Sequence, residues 1–441
     1  VNHLPTNTSR FVRACLGRPT DRTPVWFLRQ AGRYMPEYMA VRKHHSLLDI
    51  CRTPSIAAEV TITAAERLGV DAAIIFADLL LPFTPMGLDF EFVNGEGPVV
   101  HHPIRTLEQI QALRTDRTDD LRYVAHAIEK VVKHFASKET SAQESSALAR
   151  ASVAQESSTL KGTGFSPSGY PEPLGSGLIA SNKGYPEPLG SGLIASNKNP
   201  GALAPEGMDA LGIIGFVGAP FTLASYMIEG GSSRNYIEAK RLMYASGLGN
   251  NAGAPGLASE TWVGGDNAKA WPLLMEKLVT VLVDYAAQQV EAGADVIQVF
   301  DSWAGALSVA DYRAYCLAPT TELIHRIQAL GVPVIYFGVD TASLLPTFRE
   351  TGADVLGLDW RIPLDIARHT LGPNIAVQGN LDPITLFAPP EVIEARVKEI
   401  LALNADRPGH IFNLGHGIVP GTPVENVINV AKWVKQYSQR S

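Results

Sequence analysis

What most constrains this chain is one recurring pattern. A short apolar run ends in a polar or glycine break and leads into a longer helical stretch. The runs are Pro24 to Leu28, Ala72 to Asp78, Ile213 to Val217, Asp295 to Phe300, Pro333 to Phe337, Asp354 to Leu358, Asn374 to Gln378 and His410 to Leu414. Helical text lies between most of them, over about Pro54 to Leu68, Asp119 to Phe135, Trp271 to Glu291, Asp311 to Leu330 and Pro390 to Asn404. A short helix at Phe11 to Leu16 comes before the first run, and Leu88 to His101 reads as a hairpin about Asn94-Gly95. Gly-Ala-Asp stands before two of the strands, from Gly293 and from Gly352, where a helix ends. Strands apolar on both faces and joined by helices belong to a parallel sheet that is covered on both sides. Eight of them predict a single-domain α/β fold, a (β/α)8 TIM barrel over residues 10–437. An open doubly wound sheet would place a glycine-rich phosphate loop after the first strand. Arg29-Gln30-Ala31-Gly32-Arg33 occupies that place instead.

Two stretches break the rhythm. Residues 137–205, between a helix and the third barrel strand, are rich in Ser, Ala, Gly and Pro, and residues 169–183 recur unchanged as residues 184–198. Two copies are too few for a solenoid. The composition reads as a disordered, low-complexity insertion carrying a 15-residue tandem repeat. A second, shorter insertion spans 245–265.

Composition narrows the function. A net charge of −7 disfavours a nucleic-acid partner, which needs a basic face. It leaves room for a local basic pocket. Cys15, Cys51 and Cys316 are scattered and form no Cys-x-x-Cys, which argues against a zinc ribbon or a disulfide framework and fits a reducing cytoplasm. The first ten residues lack the apolar core of a signal peptide. No apolar run reaches the ~18 residues of a membrane span.

In a barrel the C-terminal ends of the strands carry the chemistry. Those ends present Arg29 and Arg33, Asp78, Ser302 and His416, with Tyr226 slightly beyond. Guanidinium forks four residues apart about Ala31-Gly32 suit carboxylates or phosphates, and the small residues let backbone approach a ligand. Asp78 offers an acceptor for several donors, Tyr226 and Ser302 offer neutral hydroxyls, and His416 lies between Gly415 and Gly417. His325, His369 and His410 read as structural.

The stretch from Trp26 to Tyr38, WFLRQAGRYMPEY, closely resembles the N-terminal signature of uroporphyrinogen decarboxylase, and Gly215 to Tyr226, GFVGAPFTLASY, is a second family-like stretch. The likeness runs from about Arg10 to Tyr437, interrupted by the two insertions. It implies cofactor-free removal of carbon dioxide from the four acetate side chains of a tetrapyrrole, uroporphyrinogen III, giving coproporphyrinogen III. It implies catalytic roles for Asp78, Arg29, Arg33 and His416, and substrate contacts from Arg29, Gln30, Ala31, Gly32, Arg33, Asp78, Tyr226, Ser302 and His416. It also implies a homodimer, with no metal, no nucleic acid and no membrane partner. Three rivals remain: a zinc-dependent cobamide methyltransferase of the same barrel superfamily, a non-catalytic tetrapyrrole binder, and a phosphate-binding barrel isomerase. The first wants thiolates at strand ends, the second the loss of Arg29, Arg33 or Asp78, and the third a glycine-rich phosphate site that Gly415 and Gly417 match weakly.

Overall fold

A computed structural model describes residues 9–93, 95, 97–138, 210–247 and 268–440. Of the two insertions, only residues 137–138 and 245–247 fall inside this set, at the ends of helices. Seven strands form one parallel sheet: β1 (Ala72–Ile74), β4 (Gly212–Gly218), β5 (Val296–Asp301), β6 (Val334–Gly338), β7 (Val355–Gly357), β8 (Ala376–Gln378) and β9 (His410–Ile411), neighbours in that order. The hairpin β2 (Phe90–Val93) and β3 (Gly97–Val100) stands apart. Helices follow each sheet strand, from Pro220–Glu229 after β4 to Val424–Tyr437 after β9.

The eighth position belongs to Pro24 to Leu28, which is less regular than its apolar text suggests. Only Val25 makes a parallel bridge, to Phe412, while its carbonyl accepts the Asp71 N–H at 2.8 Å on the other side. This joins β9 to β1 and closes the (β/α)8 barrel. The ladder is thin because side chains replace it. Pro24 has no N–H to give, Val25 N–H goes to Asp71 Oδ2 at 2.9 Å, and Leu28 N–H goes to Asn413 Oδ1 at 2.9 Å. Arg22 grips Asp71 with both ends of its fork, at 2.6 and 2.8 Å.

The same acid-before-strand device recurs around the N-terminal face. Asp295 Oδ2 accepts the Ile213 N–H and Asp354 Oδ2 the Val334 N–H, each at 2.8 Å. In all three places a glycine at positive φ ends the preceding helix two residues earlier: Gly69, Gly293 and Gly352. One expected helix, Asp311 to Leu330, is two: Val309–Tyr315 and Leu317–Gln328. Pro319 cannot donate to the Tyr315 carbonyl, and the Trp271 indole N–H takes that carbonyl at 3.0 Å.

Inside the barrel, Trp26 Nε1 donates to Gln378 Oε1 at 3.0 Å and Gln378 Nε2 to Gln298 Oε1 at 3.2 Å. Strands β5 and β8 are not neighbours, so this chain of amides crosses the interior. Phe300 shares the face of Gln298, two residues nearer the C-terminal end, and packs edge-on against Phe216 and Phe337 with centroids 5.6 and 5.9 Å away. Alternation along the strand then turns Asp301 outward, between sheet and helices.

Candidate active site

The barrel mouth is built from chain turns at strand ends. At Arg29 the backbone enters the left-handed region, φ 56°. For a residue with a long side chain that conformation costs of order 1–3 kcal/mol and persists where the surroundings impose it. Two contacts with the segment after β9 impose it here. The Leu28 N–H is held by Asn413, and the Leu28 carbonyl accepts the Ile418 N–H at 3.0 Å. The Arg29 side chain therefore runs out over the Gly415-His416-Gly417 turn. A methyl placed on Gly417 would lie 2.4 Å from Arg29 Cδ and 2.6 Å from Cγ.

Four of the expected residues act on one another electrostatically. Asp78, half-buried past the end of β1, is pushed up to about 6 by burial, against the Leu80 amide and the Arg29 charge. One Asp78 oxygen accepts the Leu80 N–H at 2.9 Å, and the other has no partner among the described residues. His416 is lowered below its ordinary value, by burial first and then by the Arg29 charge. Its Nδ1 accepts the Gly417 N–H at 2.7 Å, so the neutral ring carries its proton on Nε2. The Tyr226 hydroxyl is pushed up to about 12 by burial and by the Asp78 charge. It remains a neutral donor at any pH near 7.

The charges that shift Asp78, Tyr226 and His416 include none of the other candidates. Arg33 is exposed, and its charge acts on Tyr38. Neither Arg29 nor Arg33 makes a hydrogen bond or ion pair through its side chain with a described residue, so both forks remain available. Gln30 is buried at 1% exposure; its Oε1 accepts the Phe27 N–H at 3.4 Å and its carbonyl the Tyr34 hydroxyl at 2.6 Å. Its side chain thus braces the loop from within. Ala31 and Gly32 are half-buried, and a methyl on Gly32 would sit 3.3 Å from the Arg29 carbonyl. Ser302 is half-buried directly after Asp301. His410 is a core residue: Nε2 donates to the Gly379 carbonyl at 2.9 Å, and burial holds the ring down at about 3.

Sequence reasoning missed several residues at these strand ends. Trp303 packs edge-on against Tyr226, with centroids 5.6 Å apart, and tilted against Tyr236 at 5.5 Å. After β6 and β7, Asp340 and Asp359 hold Arg361, with contacts of 2.7 Å from Nε to Asp340 and 3.1 Å from Nη1 to Asp359. The guanidinium lies over the Trp360 ring, 4.1 Å from its centroid. Each of these acids stands two residues past a strand end, and the strand-end rule applied to β6 and β7 would have found them. The cysteines are buried on or beside helices, and burial raises each thiol, which disfavours the thiolate a metal would need.

The "Uroporphyrinogen decarboxylase (URO-D)" family model matches residues 6–142 and 202–437. A uroporphyrinogen decarboxylase of Koribacter versatilis is 49% identical over 433 residues, covering 98% of this chain and 97% of that one. One of Chloroflexus aurantiacus is 42% identical, covering 97% and 96%. Among solved structures, a methyltransferase from Methanosarcina mazei superposes with a TM-score of 0.64 at 18% identity, covering 97% of this chain and 98% of that chain, a likeness of fold alone. With both halves of the chain matched by one family model and relatives this similar along nearly their whole length, the chain belongs to the uroporphyrinogen decarboxylase family.

Proposed function

We propose that this enzyme decarboxylates uroporphyrinogen III to coproporphyrinogen III at the barrel mouth, with Asp78 as the central acceptor for the pyrrole N–H groups. The observation that carries the reading is the Asp78 oxygen that has no partner among the described residues, together with the Arg29 charge that acts on the same carboxylate. The substrate asks for this combination: donors gathered at its centre, carboxylates around its rim.

Each step takes up one proton and releases carbon dioxide. A proton added to a pyrrole ring carbon makes the ring cationic. The bond from the acetate CH2 to its carboxyl carbon then breaks, and its electron pair neutralises the ring. A proton on the exocyclic carbon leaves a methyl group, and the ring carbon returns the proton it first took. The ring itself is the electron sink, so the chain's residues are sufficient without an added cofactor. A fixed Asp78 charge beside the transient cation is electrostatic catalysis, an effect on the scale of 10²–10³ in rate. Arg29 and Arg33 bind rim carboxylates, Tyr226 and Ser302 donate to them, and neutral His416 has an Nε2 proton to offer. The guanidinium is too weak an acid for ready proton transfer, so the arginines bind charge first.

The same reading makes the enzyme a cytoplasmic homodimer with a barrel domain over 10–437 and insertions that take no part in catalysis. Free, buried cysteines support a reducing compartment, and among the described residues no helix is long and apolar enough to cross a membrane. The test is anaerobic incubation with uroporphyrinogen III followed by chromatography of the oxidised products. Coproporphyrin is the expected product; unchanged uroporphyrin from folded protein overturns the reading.

A further inference from the structure

Behind the two proposed hydroxyl donors lies a buried carboxylate that the mechanism above does not use. Asp301 ends β5, is fully buried, and faces the helix layer. Its Oδ1 accepts the Thr222 hydroxyl at 2.6 Å and its Oδ2 the Tyr336 hydroxyl at 2.7 Å, which in turn lies 2.7 Å from the Tyr312 hydroxyl. The Thr222 oxygen also accepts the Trp303 N–H at 3.2 Å. These contacts close a circuit. Asp301 leads along the chain to Ser302 and Trp303. Trp303 meets Tyr226 ring to ring at 5.6 Å. Tyr226 lies one helical turn beyond Thr222, on the same face of Pro220–Glu229, and Thr222 returns to Asp301.

We propose that Asp301 and Thr222 are positioning residues that set the spacing between the Tyr226 and Ser302 hydroxyls. Neither touches substrate. The inference rests on the reading of Tyr226 and Ser302 as carboxylate donors. Among the described residues the Thr222 hydroxyl bonds both the strand end and the turn after it, so removing it loosens the 302–303 turn from the helix bearing Tyr226. Tyr336 holds the same carboxylate from the opposite side and does not touch Trp303 through any such bond. It supplies the control.

The experiment compares Thr222→Val, Thr222→Ser, Tyr336→Phe, Tyr226→Phe and Ser302→Ala, measuring KM, kcat and the partly decarboxylated products of each. Thr222→Val is expected to lose about tenfold or more in kcat/KM, as misplacements of an ångström do, and to accumulate partly decarboxylated products. Thr222→Ser should return to within about threefold of the parent, and Tyr336→Phe should lower the melting temperature with KM and product pattern unchanged. Thr222→Ala, which leaves room for a water beside Asp301, replaces Thr222→Val if that variant does not fold. Parent-like kinetics in Thr222→Val alongside impaired Tyr226→Phe and Ser302→Ala overturn the positioning role alone. Equal kinetic losses in Thr222→Val and Tyr336→Phe overturn it too, since they would report general loosening. Parent-like Tyr226→Phe and Ser302→Ala remove the donor reading and the positioning role together.

Discussion

Arg29 and Gly417 are in direct contact: the arginine stem crosses the glycine so closely that a single added methyl would stand 2.4 Å from Arg29 Cδ. The two residues are almost the whole chain apart, and meet because the last barrel turn folds over the first. Gly417 does not have positive φ. Alanine there is acceptable to the backbone, and the three nearest atoms it would meet all belong to Arg29. Gly417→Ala is therefore a way to move the guanidinium without removing it. Expected is a fall in kcat/KM of about 10–100-fold, the scale of an ångström's misplacement, with a melting temperature within a few degrees of the parent. Unchanged kinetics would show that Arg29 works from another position.

Asp78 must be ionised to set a negative charge beside the transient ring cation and to offer acceptors on both oxygens to the pyrrole N–H groups. Its carboxyl is pushed up to about 6, chiefly by burial, so activity is present above that pH and falls as pH drops through it. The pH profile of kcat/KM should show an acid limb near 6. Asp78→Asn should lower turnover by roughly 10²–10³ and abolish the limb, while His416→Asn should keep it. A limb that survives Asp78→Asn assigns it to another group.

The same shift has a consequence for stability. A carboxyl whose folded value is raised above 3.8 favours the folded state below pH 3.8, and that contribution is lost as pH rises through about 6. Ionised Asp78 thus strains the fold at pH 8. Asp78→Asn keeps an acceptor for Leu80 and removes the charge. In urea unfolding it should be more stable than the parent at pH 8, with the gain shrinking toward pH 4. A gain independent of pH would mean that charge is not its origin.

Arg29 and Arg33 should not tolerate lysine. Lysine retains the charge and loses the planar fork. Both arginines are exposed and have no side-chain partners among the described residues, so the substitutions should leave folding untouched. Losing one bidentate contact is expected to cost about tenfold in kcat/KM, or ~1.4 kcal/mol. Arg29→Lys should lose more than Arg33→Lys, because the Arg29 charge reaches Asp78, Tyr226 and His416, whereas Arg33 acts on Tyr38. Equal or absent losses in steady-state kinetics would contradict that ranking.

The barrel was legible because its signal is local: apolar runs, glycine-ended helices and acids before strands can be read within a window. Asp78 and His416 were legible as candidates for the same reason, as polar residues at or just past the ends of apolar runs. What escaped depends on partners far along the chain. The first strand looks regular in text, yet its Val25 and Leu28 N–H groups go to Asp71 and Asn413, 46 and 385 residues away. The helix break at Cys316 needed Trp271 to take the Tyr315 carbonyl. Asp301 carries no local mark of its partners in the sequence. Only the parity of β5, set by Gln298 crossing the interior, turns it toward Thr222 and Tyr336.

The long insertion provides the last test. A helix spans residues 122–138, and β4 begins at Gly212, so the intervening segment joins a helix end to a strand start. In a barrel the start of a strand, here Gly212, is at the N-terminal face, and the C-terminal ends carry the chemistry. The proposed site residues all come from strand ends on the other side or from the helix after β4. Chain length in a connection is energetically cheap, roughly 0.6 kcal/mol per doubling, and the segment's text offers little apolar surface to bury. Replacing residues 139–199 by a short Gly/Ser link should leave uroporphyrinogen turnover within about twofold of the parent, a change below ~0.5 kcal/mol, with one cooperative unfolding transition. A deletion that still unfolds cooperatively but has lost turnover would show that the segment serves the active site or a required partner, and the proposal that it takes no part in catalysis would then be withdrawn.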